Sequence, residues 1–269
     1  MNQLKALFLF ILLACSLNIT AQRIKGSDTV LPVSQETAEI FMKDDPDRRV
    51  TVTGGGTGVG ISALMDNTTD IAMASRPIKF SEKMKLKAAK QEVEEVIIAY
   101  DALAVIVNPS NPVSQLTRQQ LEAIFRGKIT NWKEVGGEDG AINLYGREDG
   151  SGTREVFTEK AIKKSDIAPS VNVVNSNGAM KTAVAKDARA IGYVGIGHID
   201  GSVKAPKLAG MTATQENAAS GAYTIVRDLY MNTKGEPKGV AKLFIDYIYT
   251  PEGAEIIKDC GYIPLPRKK

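Results

Sequence analysis

The sequence predicts an α/β protein built from more than one compact unit, on three observations. Short apolar runs of strand length alternate with amphipathic stretches of helical period, the pattern of parallel α/β sheets. Several strand-to-helix joins are rich in glycine and hydroxyl residues. The 269 residues exceed what a single compact domain ordinarily uses, so two units of about 100–130 residues each are expected.

In chain order, Val50–Thr53, Asp70–Ala74, Val93–Val107, Ile142–Tyr145, Val171–Val174 and Ile191–Val194 read as strands. The third of these is a long, nearly continuous apolar run. Helical patterns lie between them: Leu31–Phe41, Ile61–Asp66, Glu82–Lys90, Arg118–Phe125, Arg154–Lys163 and Ala179–Asp187. The C-terminal segment changes character. Val240, Leu243, Phe244, Tyr247 and Ile248 recur at helical spacing, and Pro251 opens a further helix that Gly261 is suited to close. These last helices need a partner surface. The chain has no internal repeat, and lysine-rich stretches such as Lys83 to Lys90 read as solvated helix faces.

Composition narrows the function classes. Hydrophobic residues are 43% and charged residues 24%, a globular balance, and the net charge is only +3. No basic run marks a nucleic-acid binder. At the N-terminus Lys5 precedes an apolar run, Ala6 to Ala14, of the length of an export-signal core and too short to span a bilayer. Cleavage after Ala21 would release a mature chain. Leu12-Leu13-Ala14-Cys15 also has the form of a lipobox, which would leave Cys15 lipidated as an anchor. In either case the mature protein acts outside the cytoplasm, in the periplasm or at the cell surface. Cys260 is then the only remaining cysteine, a small apolar residue with no disulfide partner. His198 is the single histidine and reads as a loop residue after a strand. With it, neither a zinc set nor a Ser-His-Asp hydrolase finds support, and no metal or cofactor is expected.

Three segments share one design, a hydroxyl residue among small residues at the start of a helix. They are Gly26-Ser27-Asp28-Thr29-Val30, Gly54-Gly55-Gly56-Thr57-Gly58-Val59-Gly60 and Arg147-Glu148-Asp149-Gly150-Ser151-Gly152-Thr153. A helix N-terminus offers unpaired N–H groups and the positive end of its dipole, and glycine lets an anion approach them. Ser and Thr add short donor bonds, and Arg147 adds a forked cation. An oxyanion is the ligand such segments suit; a plain N-cap is the alternative at each one. Two sharper motifs fail. Gly55 to Ser62 has the spacing of a P-loop but holds Ile61 where the lysine belongs. Gly58-x-Gly60-x-x-Ala63 lacks the acidic partner of a dinucleotide site.

These segments occur in order with Ala74-Ser75-Arg76-Pro77-Ile78, Asp101-Ala102-Leu103-Ala104-Val105-Ile106-Val107-Asn108-Pro109, Leu121 to Trp132 and Gly261-Tyr262-Ile263-Pro264-Leu265. The set resembles the PstS family, the phosphate-binding proteins of ABC phosphate importers, from about Lys25 to Pro266. The Ile124 to Trp132 run and the Arg147 to Thr153 loop are its most specific parts. The resemblance implies an α/β, periplasmic-binding-protein-like fold of type II: two α/β lobes joined by two crossover strands, near Val105–Asn108 and Tyr223–Arg227. Residues 22–106 with 226–269 would form lobe 1 and residues 107–225 lobe 2, after a signal peptide at 1–21. It further implies inorganic phosphate as ligand, an ABC permease as partner, no enzymatic activity, and a monomer that meets the membrane only through the permease or a lipid anchor at Cys15.

Carried onto this chain, the phosphate-binding set is Thr29, Val30, Thr57, Ser75, Arg147, Ser151, Gly152 and Thr153, with Arg76 and Asp101 as two further candidates. Some family members place Asp after the residue matching Ser75, to accept the ligand's proton; here Arg76 stands there. Arg76 would either face the ligand or serve as a structural or partner-facing charge. Asp101 would either supply the missing acceptor, which admits a protonated oxyanion and rejects sulfate, or organise Arg147 or Arg76 through an ion pair. The Arg76 departure also keeps sulfate or molybdate open as ligand. A phosphatase using Ser151, and a sensor or adhesin built on the same lobes, are the remaining alternatives.

Overall fold

The computed structural model describes residues 21–265; the expected signal core and Cys15 lie outside the described residues. The elements, in chain order, are β1 (Gln22–Gly26), α1 (Leu31–Asp44), β2 (Val50–Thr53), α2 (Thr57–Met65), β3 (Ile71–Ala74), α3 (Phe80–Ala88) and β4 (Val93–Val107). They continue with β5 (Gln115–Leu116), α4 (Arg118–Phe125), β6 (Asn143–Arg147), α5 (Gly152–Val156), β7 (Asn172–Val174), α6 (Asn177–Lys186) and β8 (Ala190–Gly195). The last are β9 (Lys207–Leu208), α7 (Gln215–Ala219), β10 (Val226–Lys234), α8 (Gly239–Ile248), α9 (Pro251–Asp259) and β11 (Ile263–Pro264). No helix among the described residues is long and apolar enough to cross a membrane.

One sheet runs β2-β1-β3-β10-β4-β8-β6-β7, with β11 on β4, and β5 pairs separately with β9. The expected parallel order holds only towards its two ends. β1 is parallel to β2 and β3, and β6 is parallel to β7 and β8. The middle is antiparallel. β4 pairs with β10 along Val93–Ala102 and with β8 along Leu103–Val107. The reason is topological: β4 carries the chain from one lobe into the other and β10 carries it back, and two such crossings run in opposite directions. β1 and β10 escape a reading by apolar pattern. β10 places Arg227, Asn232 and Thr233 in the interior among its apolar residues, so it shows no simple alternation.

Each lobe has its own core. In the first, Ile24, Ile71, Met73, Ile98, Leu229 and Met231 lie beneath α1, α8 and α9. The C-terminal helices find their partner surface on α1, where Phe244 meets Phe41 edge-on at 5.4 Å. In the second, Phe157 stacks on Tyr193 at 3.8 Å and Phe125 packs against both rings. The cores change hands on the crossover strands, between Ala99 and Ala102 on β4 and between Val226 and Leu229 on β10.

Local chemistry sets the helix ends. Thr117 and Gln120 form a capping box at α4, with bonds of 3.1 and 2.8 Å. Thr250 caps α9 ahead of Pro251. α9 closes with paired reverse bonds, Gly261 N–H to Lys258 O at 2.8 Å and Tyr262 N–H to Ile257 O at 2.9 Å, around Gly261 at φ +84°. Two helices start earlier than their apolar pattern indicates. α2 begins at Thr57 and takes Gly58 and Gly60 into its first turn, and α5 begins at Gly152 with Ser151 as its cap. Glycine weakens a helix, yet tertiary packing holds both turns in place.

Truncating Phe244 removes a fully buried ring from the contact that anchors the C-terminal helices. Phe244→Ala is expected to lower the unfolding free energy by about 3–5 kcal/mol, read from urea melts against wild type.

Candidate anion-binding site

The three glycine- and hydroxyl-rich segments meet between the lobes, at the C-terminal ends of β1, β2 and β6, with Ser75 directly after β3. Strand carboxyl ends are where open α/β sheets bind ligands. Across the cleft, Thr29 Oγ1 lies 3.1 Å from Thr153 Oγ1, and Gly58 N–H donates to Gly150 O at 3.0 Å. Thr57 Oγ1 accepts from the Ser75 N–H at 3.1 Å and lies 3.3 Å from Ser75 Oγ. Ser151 Oγ accepts from the Arg154 N–H at 3.2 Å. A Cβ on Gly152 would come within 2.5 Å of Thr57 Oγ1 and 2.6 Å of Ser75 Oγ, so only glycine permits this approach. The N-termini of α2 and α5 thus face one another from opposite lobes, with the hydroxyls between them.

The remaining sequence candidates take different positions. Val30 is buried beside Thr29, and its N–H donates to Ser27 O at 3.1 Å within the turn. Arg147, only 1% exposed, donates from Nε and Nη2 to Glu148 and from Nη2 to Asp28 Oδ2, each at 2.9 Å, and from Nη1 to Asn177 Oδ1 at 3.0 Å. Asp28 Oδ1 in turn accepts from the Gly55 N–H at 3.0 Å. Arg147 therefore ties the first lobe's loops to the second lobe. Arg76 forks onto Glu82 at 2.8 and 2.9 Å and pairs through Nε with Glu155 at 2.8 Å, beside Lys79. This is a second charged contact between the lobes, at the edge of the cleft.

Asp101 is fully buried, and its partner is Arg227, neither Arg147 nor Arg76. Arg227 Nε and Nη2 donate to Asp101 Oδ2 at 2.9 and 2.6 Å, and the Ile196 N–H donates to Oδ1 at 3.2 Å. Burial pushes the Asp101 carboxyl up, against the pull of the Arg227 guanidinium. The other face of Arg227 reaches the hydroxyls. Nη1 donates to Thr153 Oγ1 at 3.0 Å and Nη2 to Thr29 Oγ1 at 3.1 Å. One guanidinium on a crossover strand thus touches a hydroxyl from each lobe.

Asn177, His198 and Tyr262 complete the surroundings. Asn177 Nδ2 donates to Thr29 Oγ1 at 3.1 Å and to His198 Nε2 at 3.2 Å. The Tyr262 hydroxyl donates to Thr29 O at 2.9 Å. His198 is not the simple loop residue its setting in the sequence implies. Burial, with Arg227, Lys181 and Arg147 nearby, pulls its pKa down to about 4, so it is neutral at pH 7, and the bond from Asn177 leaves the ring proton on Nδ1. Arg227, Asn177, His198 and Asp28 carry no local motif of their own. Of these, Asp28 alone lies inside one of the three glycine- and hydroxyl-rich segments.

The His198 imidazole has a pH consequence. Its folded pKa near 4 lies below the ordinary imidazole value of 6.5, so the unfolded chain binds the extra proton first. Its contribution to stability is present above pH 6.5 and is lost as pH falls towards 4. Wild type is expected to lose more stability than His198→Gln over that interval, measured by denaturant midpoints at several pH values.

The family model for the PBP superfamily domain matches residues 18–252. The phosphate-binding protein PstS of Bacillus subtilis is 35% identical over 248 residues, covering 91% of this chain and 81% of that protein. The PstS protein of Borreliella burgdorferi is 32% identical, covering 89% of this chain and 88% of its own length. Among solved structures, a phosphate ABC transporter substrate-binding protein from Clostridium perfringens, so described and carrying bound phosphate, superposes with a TM-score of 0.86 at 37% identity over 92% of this chain and 100% of that one. An ABC-type phosphate transport receptor from Vibrio cholerae gives a TM-score of 0.73 at 37% identity over 91% of this chain and 99% of its own. The chain belongs to the PBP superfamily and, within it, to the PstS family of phosphate-binding proteins.

Proposed function

We propose that this protein captures inorganic phosphate outside the cytoplasm and hands it to the membrane permease of an ABC importer, without chemical turnover. One observation carries the reading. Two helix N-termini from opposite lobes converge on a cluster of buried hydroxyls, Thr29, Thr57, Ser75, Ser151 and Thr153, around a glycine that permits close approach. Donors and dipoles of one sign, enclosed by protein, suit a desolvated oxyanion. The family membership narrows the oxyanion to phosphate.

The proposed ligand groups are these five hydroxyls with the backbone of Gly152. Arg76 has its charge taken up by Glu82 and Glu155, so the departure from the family pattern at that position adds no attraction to the cage. We assign the two lobes to residues 22–106 with 226–269 and to residues 107–225; the change of core on β4 falls a few residues earlier and supports a division on these strands. Closure of the lobes about β4 and β10 is the mechanism. The Arg147–Asp28 and Arg76–Glu155 pairs form only when the lobes meet, so the closed face differs in charge pairing from the open one. The permease would recognise that difference.

Calorimetric titration of the phosphate-stripped mature protein is expected to show one tight phosphate site that a large excess of sulfate leaves unchanged. Binding that sulfate abolishes would overturn phosphate as the ligand. Gly152→Ala sets a methyl group against Thr57 and Ser75 and is expected to weaken phosphate roughly ten- to a hundredfold while the thermal unfolding midpoint stays near wild type.

A further inference from the structure

Ser75 and the Gly152 turn meet in the hydroxyl cluster, and each is followed closely by a charge that bonds to the other lobe. Arg76 comes directly after Ser75, and Glu155 lies in the first turn of α5, which opens at Gly152. Glu155 Oε2 pairs with Arg76 Nε at 2.8 Å, and Oε1 pairs with Lys79 Nζ at 2.8 Å. One carboxylate of the second lobe is thus held by two cations of the first. Those cations are fixed in advance within their own lobe. Arg76 donates from both Nη atoms to Glu82, at 2.8 and 2.9 Å, and from Nη1 to Pro77 O at 2.8 Å. Glu82 Oε2 also accepts from the Lys79 N–H at 2.7 Å. The Arg76 side chain is 6% exposed and that of Glu155 22%. A groove of about 530 Å³, lined by Gly58, Val59, Asp149 and Gly150 as well as by this cluster, brings solvent alongside.

Resting on the phosphate reading above, we propose that Glu155 is a positioning residue that holds the Gly152–Thr153 turn against Thr57 and Ser75, and that its clasp on Arg76 and Lys79 sets how long phosphate stays bound. Arg227 secures the hydroxyls from the crossover strands, and Glu155 secures them from the edge of the cleft. A bond between the lobes does not exist while they are apart, so it adds nothing to capture and must break before release. Loss of a largely desolvated partner of this kind acts on the dissociation rate. Arg76 keeps its fork to Glu82 when the clasp opens. The first lobe therefore holds no unpaired guanidinium in the open form, and the clasp can break and re-form. Salt shields the separated charges in the open form more than the paired ones, so it favours opening.

Association and dissociation of radiolabelled phosphate, the latter after a chase with unlabelled phosphate, test this on the mature protein at low and high sodium chloride. Glu155→Gln keeps the shape of the side chain and removes its charge. It is expected to release phosphate roughly tenfold faster than wild type, with an association rate within about twofold of wild type. Wild-type release is expected to quicken as salt rises, and release from Glu155→Gln to respond less. Lys79→Gln, at a half-exposed position, removes one of the two cations and is expected to shift release the same way by about threefold; it carries the test if Glu155→Gln fails to fold. A purely structural role would slow association as much as it speeds release and would leave the salt response unchanged. Either of those results overturns the proposal, as does release from both variants at the wild-type rate. Wild type that binds no phosphate overturns the phosphate reading itself, and this proposal with it.

Discussion

The buried Arg227–Asp101 pair is the constraint on which the rest of the cleft depends. Both groups sit on crossover strands, at a register where β10 and β4 face each other directly, and both are almost wholly removed from water. Two such charges pay a desolvation cost that only close, well-directed bonds offset. Here Asp101 accepts two guanidinium bonds and a peptide N–H, while the free edge of Arg227 reaches Thr29 in one lobe and Thr153 in the other. The same ion pair that staples the two crossover strands therefore also sets the distance between the hydroxyls that line the cleft.

A second layer supports that arrangement. Arg147 fastens Asp28 and Asn177, and Asn177 orients both Thr29 and His198. Tyr262, delivered by the glycine-closed end of α9, bonds the Thr29 carbonyl. The C-terminal segment is thus tied to the first cleft loop at the opposite end of the chain, which explains why the last helices pack on the first lobe. Breaking one member leaves buried partners unsatisfied, so the network acts as a unit. Arg76 and Glu155 extend it to the rim, where the contact is between lobes and partly open to water.

How much of this was legible in the sequence depends on whether the signal was local. Arg118–Phe125, Val50–Thr53 and Val93–Val107 have the limits that their patterns indicate, because the first carries its cap at Thr117, the second is a Val-Thr alternation ended by glycines, and the third is a long, mostly apolar run. The helices begin at Thr57 and Gly152, ahead of their apolar patterns, since glycine carries no helical signal and the neighbouring lobe holds those turns. The glycine- and hydroxyl-rich loops pointed to an anion because helix N-termini are local objects. Arg227 and Asn177 were invisible on the same terms, as each lies far along the chain from the Thr29 it contacts.

The sequence by itself determined that the chain is α/β, that its strand–helix joins present hydroxyls and glycines to an anion, and that its motifs are those of the PstS family. Only the tertiary structure decided which cation meets the hydroxyls. Arg147, placed in the motif, spends its donors on Asp28, Glu148 and Asn177, while Arg227, outside any motif, stands between Thr29 and Thr153 with Asp101 behind it. The physical reason is that helix termini and turns are fixed by residues a few positions apart, whereas the partner of a buried charge is whichever group the folded strands bring within reach.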